Sequence, residues 1–191
     1  MRLLVLLSIL AVGLPVVQFV PRGALSDVGV GTAITLGLRG SKFKPVSCRA
    51  MVAHGAGFYV EAMGPTNRIR LAALEARRKY LGFTPANVSD SMRAMTLSVT
   101  AMPLEEIAMP VATHMVLNSK PPSGQLPLVL QPLSYQILPT GWGNRKSAGI
   151  SAIFDLAAFN AIPHIEIDVV TITAGGEARC KLSAGMRKQI E

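Results

Sequence analysis

Charged side chains are scarce in this sequence of 191 residues, since Asp, Glu, Lys and Arg make up only 16% of it, against about 25% in average soluble chains. Half of the residues are hydrophobic, a content that excludes intrinsic disorder as a description of the whole chain. Proline and glycine follow no triplet period, which excludes collagen. Two cysteines are too few for a cysteine-only zinc site or a disulfide-dense miniprotein.

The chain opens with a hydrophobic run. Arg2 is followed by eighteen residues without charge, residues 3–20, and one cation before an apolar run is typical of a secretory signal or a signal anchor. The run approaches the length of about 20 residues that a membrane span needs. We therefore predict an exported protein (periplasmic, extracellular or membrane-anchored) in which residues 1–24 are a signal peptide or signal anchor. The alternative is a buried strand or helix of a cytosolic domain.

The two cysteines lie in segments with strand-like alternation. Cys48 shares one strand face with Val46 and Ala50, and Cys180 shares a face with Leu182. Both thiols are therefore predicted to point toward the core. Because an export signal implies an oxidising compartment, we predict a disulfide between Cys48 and Cys180. The alternative is two unconnected buried thiols.

Strand patterns account for most of the chain after residue 25. Apolar residues alternate with Ser and Thr at 94–102, and further strands are predicted at 32–36, 45–53, 58–63, 111–118, 149–159, 164–173 and 178–183. Residues 126–138 are apolar but interrupted by prolines, which suits an edge strand. We predict a mainly β fold, an immunoglobulin-like β-sandwich of about seven or eight strands that forms a single domain over 25–191. A hydrophobic helix precedes it at the N-terminus.

A helical insertion is predicted at about 65–92. From Pro65 to residue 81 the apolar residues recur every three or four positions, which predicts a helix. Its face toward the sheet is predicted to contain Ile69, Ala73, Ala76 and Tyr80. Thr84 and Pro85 then mark a second helical start.

Basic residues cluster on the first of these helices. Within twelve residues there are five cations and one acid, Glu75. We interpret the cluster as a candidate interaction surface for an anionic membrane or an acidic partner, and the alternative is a solvated helix face. Its members are Arg68, Arg70, Arg77, Arg78 and Lys79, of which Arg70, Arg77 and Arg78 are predicted to be exposed. Nucleic acid is not an expected partner, because aromatic stacking residues are scarce.

No assembled catalytic motif is visible. The three histidines, His54, His114 and His164, show no zinc-site spacing, and no G-x-S-x-G sequence is present. His164, Glu166 and Asp168 would share one strand face, either as a metal ligand set or as a solvated polar face. We favour the solvated face, and we expect no catalytic residue, no metal and no cofactor.

These patterns favour an exported, non-catalytic domain of the cell envelope with a structural or protein-interaction role and a protein partner there. One alternative is an accessory subunit of a membrane protein complex, held by an uncleaved N-terminal helix. Another is an envelope hydrolase or a metal-dependent enzyme. Asn87-Val88-Ser89 forms a glycosylation sequon, which matters only in a eukaryotic secretory pathway.

Overall fold

The computed structural model describes residues 23–40, 45–51, 57–104, 111–119, 126, 128–140, 147–162, 165–171, 177–182, 186 and 188–190. Within these ranges the helices are α1 (Asp27–Leu38), α2 (Pro65–Arg78), α3 (Asp90–Arg93) and α4 (Leu156–Ala161), with a 3₁₀ turn at Pro85–Asn87. The strands are β1 (Val46–Met51), β2 (Gly57–Met63), β3 (Thr96–Pro103), β4 (Ala112–Ser119), β5 (Val129–Leu130), β6 (Ser134–Thr140), β7 (Ser147–Asp155), β8 (Ile165–Thr171) and β9 (Glu177–Leu182). The predicted hydrophobic helix at the N-terminus lies outside the described residues.

The strands in the described ranges form one antiparallel sheet in the order β5-β4-β8-β9-β1-β2-β3-β7-β6. Near opposite ends of that order, β4 and β7 are in contact, and Val111 forms an isolated bridge with Ala148. The sheet therefore folds over on itself, and its two halves enclose a common core as the layers of a β-sandwich do. Buried side chains from β1, β2, β3, β4, β7 and β9 form this core.

The predicted mainly β class is confirmed, and the helices of the insertion lie between Pro65 and Arg93, one residue beyond the predicted range of about 65–92. Alternation at 94–102 produces β3, in which Leu97, Val99 and Ala101 are buried because successive side chains of a strand point to opposite faces. The proline-interrupted stretch becomes β5 and β6, the two outermost strands. Proline cannot donate a ladder hydrogen bond, which suits it to an edge.

The strand predicted at 149–159 ends earlier than expected. Asp155 terminates β7 and caps α4, since its Oδ1 accepts a hydrogen bond from the amide of Ala158 at 2.8 Å. An aspartate at this position stabilises a helix start by satisfying a free amide. Leu156 is buried from the first turn of this helix instead of from the strand.

The short strand predicted at 32–36 is wrong, because these residues lie in α1. Ser26 caps this helix, with its Oγ accepting a hydrogen bond from the amide of Gly29 at 3.2 Å. Glycine and β-branched residues lower helix propensity, but packing on α2 overrides that local preference. The buried residues of α1 recur at helical spacing and are Val30, Ala33, Ile34 and Gly37.

The apolar face of α2 packs against α1 rather than against the sheet core. Ile69 and Ala73 are buried, as predicted, and Ile69 shares a cluster with Val30, Ala33, Ile34 and Val88 that is separate from the sheet core. The prediction that Tyr80 packs inward is wrong, since its side chain is 98% exposed. Tyr80 follows the C-cap of α2 with a φ of 57°, so helical spacing no longer determines its direction.

The C-terminal residues complete the packing around the start of α2. Ile190 is buried in the sheet core. The side-chain amide of Asn67 donates a hydrogen bond to the carbonyl of Gln189. The backbone of Gly64 lies so close to the carbonyl of Ile190 that a Cβ would not fit between them.

Candidate functional site

The C-terminal ends of α1 and α2 meet at the protein surface. A groove of about 520 Å³ lies between them, lined by Gly40, Leu74, Arg77, Arg78 and Tyr80. Gly40 has a φ of 68°, a left-handed conformation that glycine adopts without steric cost. The guanidinium of Arg77 lies over Gly40, so a Cβ at position 40 would displace it. We call residues 38–40 and 77–81 the helix-end surface.

Tyr80 occupies a backbone position that usually holds glycine. Its amide donates to the carbonyl of Arg77 at 3.0 Å, and the amide of Leu81 donates to the carbonyl of Ala76 at 2.9 Å. These two hydrogen bonds define a Schellman motif, whose left-handed residue is commonly glycine. A left-handed conformation costs other residues about 1–2 kcal/mol. Since Tyr80 is almost fully exposed and Leu81 is 61% exposed, burial of these side chains does not offset that cost.

The helix-end surface is strongly cationic. Arg39, Arg77, Arg78 and Lys79 are all exposed. None of the last three forms an ion pair with any residue in the described ranges. Cations at a helix C-terminus are stabilised by the helix dipole, which accounts for part of this arrangement. The remaining positive charge faces solvent and is available to an anionic partner.

Beyond its first residue, Asp27, the outer face of α1 is uncharged. Between Asp27 and Arg39 the helix contains no ionisable residue, and Val28 is 81% exposed. The hydroxyl of Thr32 donates to the carbonyl of Val28, and that of Thr35 donates to the carbonyl of Gly31, each at 2.9 Å. These hydroxyls are therefore satisfied within the helix. A surface helix normally has a polar outward face, so this helix departs from the rule.

The side chain of Arg68 forms hydrogen bonds within the fold and is not one of the exposed cations. Its guanidinium donates to the carbonyls of Thr96 and Ala94, both at 2.8 Å, and to the hydroxyl of Thr96 at 3.2 Å. Burial lowers the pKa of this guanidinium below its ordinary value, because desolvation disfavours the charged form. Arg70 is half-buried, whereas exposure was predicted. Arg77, Arg78 and Lys79 thus remain as the exposed members of the predicted cluster.

Cys48 and Cys180 form a disulfide, as predicted. Their Cα atoms are 6.0 Å apart, a normal separation for a bridge. The bond joins β1 to β9, which are neighbours in the sheet, so it connects the first strand to the last. Cys180 is buried and Cys48 packs at the margin of the same core.

His114 lies where the two ends of the sheet meet. Its Nε2 is 3.1 Å from Oε1 of Gln131, and its ring contacts that of Tyr135 edge-to-face at a centroid distance of 5.9 Å. No group of three His, Cys, Asp or Glu that could hold a metal occurs in the described part of the chain. His54 and His164 lie outside the described residues. Glu166 and Asp168 pair in register with Lys181 and Arg179 of β9.

Sequence periodicity missed three parts of this surface: the outer face of α1, the left-handed Tyr80 and the contact between the two helix ends. Gly40, two residues after the last residue of α1, is a local signal for the end of that helix. No family model matches the chain, and no curated protein or solved structure shows significant similarity to it. Within the residues that the structure describes, no helix has the length and apolar character needed to cross a bilayer.

Proposed function

We propose that this protein is an exported, non-catalytic domain of the cell envelope that acts through a binding surface, in a structural or interaction role. The observation that carries the proposal is the helix-end surface. There, exposed cations without ionic partners in the described ranges adjoin an exposed tyrosine and leucine. Exposed cationic and aromatic side chains that do not stabilise the fold are typical of binding surfaces.

Export is supported by two independent features. The hydrophobic run of residues 3–20 follows a single cation, which is the pattern of a signal sequence or anchor. The disulfide between Cys48 and Cys180 is a bond that persists in oxidising compartments and is rare in the cytosol.

Thiol trapping in the native organism tests the export. Intact cells are lysed in an alkylating reagent without reductant, and peptides that contain Cys48 and Cys180 are analysed by mass spectrometry. We expect a linked peptide pair and no alkylated thiol. Alkylation of both cysteines in the native protein would contradict export to an oxidising compartment.

Site-specific crosslinking tests the binding surface. A photoreactive phenylalanine analogue replaces Tyr80 in the full-length protein, and the matched control replaces Tyr59, an exposed tyrosine on the β2 strand. We expect irradiation of native envelopes to give an adduct of defined mass at position 80 and none at position 59. Absence of an adduct at position 80 would contradict a binding role for the helix-end surface.

A second candidate is an accessory subunit of a membrane protein complex. It is favoured by the length of the uncharged run 3–20, which approaches that of a bilayer span. Intact-mass analysis of the protein from the membrane fraction separates the two candidates. Retention of residues 1–24 in a stoichiometric complex would support the role of accessory subunit, and loss of these residues would exclude that role.

A further inference from the structure

We infer that the helix-end surface and the outer face of α1 together dock this domain onto a bilayer that contains anionic phospholipid. The inference rests on the proposed export, because it places the domain beside an envelope membrane. It also specifies the partner of the binding surface. Three properties support it, namely charge, exposed apolar groups and position along the chain.

Charge is the first property. Arg77, Arg78 and Lys79 are consecutive, exposed and without an ionic partner in the described ranges. Arg39 adds a further cation at the end of α1. Each cation near an anionic bilayer increases binding by roughly fivefold. The three consecutive cations therefore account for a preference of about 100-fold for anionic over neutral lipid.

Exposed apolar groups are the second property. Tyr80 and Leu81 directly follow the cations and protrude into solvent. Tyrosine is enriched at the level of lipid headgroups, where its ring is in contact with apolar groups and its hydroxyl with water. The left-handed conformation of Tyr80 is unfavourable for the isolated domain. A backbone outlier of this kind indicates a function when the side chain has no packing role.

The outer face of α1 favours lipid over an acidic protein as the partner. This face offers Val28 and two threonines whose hydroxyls already bond within the helix. Between Val28 and Leu38 it has no cation with which to pair an acidic protein surface. Contact with the bilayer interface buries such a face and requires no complementary groove.

Position along the chain is the third property. The hydrophobic run ends at residue 20, shortly before Gly23, and α1 begins at Asp27. The 12 residues of α1 span about 18 Å at 1.5 Å per residue. The helix-end surface is thus roughly one helix length from the point at which the hydrophobic segment joins the domain. If α1 lies along the membrane, both ends of the helix are within reach of the same bilayer.

Vesicle partition of the full-length chain tests the inference. The readout is the ratio of binding to vesicles of phosphatidylglycerol and phosphatidylcholine in equal parts over binding to phosphatidylcholine alone. The uncharged run 3–20 contributes equally to both kinds of vesicle, so the ratio isolates the charge-dependent part. The test variant carries Arg77→Gln, Arg78→Gln and Lys79→Gln. The matched control removes three exposed cations elsewhere and carries Arg49→Gln, Lys181→Gln and Lys188→Gln.

We expect the ratio to fall about 100-fold in the test variant and several-fold at most in the control. Added salt should weaken the binding of the wild type. Tyr80→Gly should weaken binding to both kinds of vesicle while the melting temperature rises, and Tyr80→Trp should restore that binding, because tryptophan also favours the interface. A structural role alone would not move binding and stability in opposite directions.

Three results would overturn the inference. An equal decrease of the binding ratio in the test variant and in the control would mean that net charge alone drives binding. A wild-type ratio near one would mean that the surface does not recognise anionic lipid. Release of the protein from vesicles by inorganic phosphate at low millimolar concentration would mean that the groove binds a free anion and not a lipid headgroup. Each result leaves the proposed function standing if position 80 still gives a crosslink to an envelope protein and the disulfide is found in the native protein.

Discussion

Gly37 of α1 lies against Ala73 of α2 with no space for a side chain between the two helices. A Cβ on Gly37 would lie 2.7 Å from the Cβ of Ala73 and would overlap the carbonyl oxygen of Arg70. The missing side chain permits the close approach of the helices, and this approach brings their C-terminal ends together at the groove. The helix-end surface therefore depends on one glycine in a helix that local propensity disfavours.

Replacement of Gly37 by alanine should destabilise the protein. Overpacking of this kind typically costs about 1–3 kcal/mol in free energy of unfolding. The matched control is Gly31→Ala in the same helix, where an added Cβ meets no atom within 4 Å. That change should stabilise by about 0.5–1 kcal/mol through helix propensity. Urea denaturation measures both values, and a stabilising effect of Gly37→Ala would show that the helices are not in tight contact.

Tyr80→Gly should stabilise the isolated domain. The residue after the C-cap is left-handed, with a φ of 57°, and glycine adopts this conformation without the Cβ clash. We expect the free energy of unfolding to exceed that of Tyr80→Ala by about 1 kcal/mol. Alanine is the matched control because it removes the ring but keeps the Cβ. Equal stability of the two variants would mean that the backbone at position 80 is not left-handed in solution.

Arg68→Ala should be severely destabilising although Arg68 belongs to a run of basic residues. Its guanidinium donates hydrogen bonds to the carbonyls of Ala94 and Thr96. Loss of hydrogen bonds to a charged group lowers the free energy of unfolding by about 1.5–3 kcal/mol. Arg68→Lys should recover only part of the loss, since an ammonium group lacks the planar fork of donors.

Arg78→Ala serves as the comparison on the same helix. Its side chain is exposed, and changes at such positions usually stay within about 0.5 kcal/mol. Thermal unfolding of both variants distinguishes the two roles. Similar melting temperatures for Arg68→Ala and Arg78→Ala would contradict the structural role of Arg68.

Removal of the disulfide by Cys48→Ala and Cys180→Ala should lower the free energy of unfolding by about 3–5 kcal/mol. The bond closes a loop with a sequence separation of 132 residues, and long loops gain most in the chain-entropy model. Chemical denaturation of the wild type with and without reductant provides an independent measure. The reduced wild type and the double variant should agree within about 1 kcal/mol, since both lack the bond.

Ile190→Ala should destabilise the domain by about 2–5 kcal/mol, as truncation of a buried isoleucine does. Ile190 is fully buried in the sheet core, close to the chain terminus. Lys188→Ala is the matched control, because Lys188 is exposed two residues earlier. A small effect of Ile190→Ala on the urea midpoint would mean that the C-terminal segment does not pack onto the core.

Local pattern was sufficient to predict much of this fold. The alternation of apolar and polar residues at 94–102 indicated β3. Successive side chains of a strand point to opposite faces regardless of which strands lie beside it. The same rule placed Cys48 and Cys180 on inward faces, and the structure joins them. Helical spacing predicted α2 and the burial of Ile69 and Ala73, and the prolines at 127 and 132 indicated a strand at the sheet edge.

Tertiary contacts decided the rest. Residues 32–36 have the composition of a strand, yet they form a helix because Val30, Ala33 and Ile34 bury one helical face against α2. Tyr80 continues the apolar spacing of α2 in the sequence, but the chain reverses after Lys79 and turns its ring to solvent. Arg68 is indistinguishable by type from Arg78, and only the position of residues 94–96 beside α2 makes it a half-buried donor. Periodicity reports the near neighbours of a residue along the chain, whereas burial, hydrogen-bond partners and the meeting of two helix ends depend on residues distant in sequence.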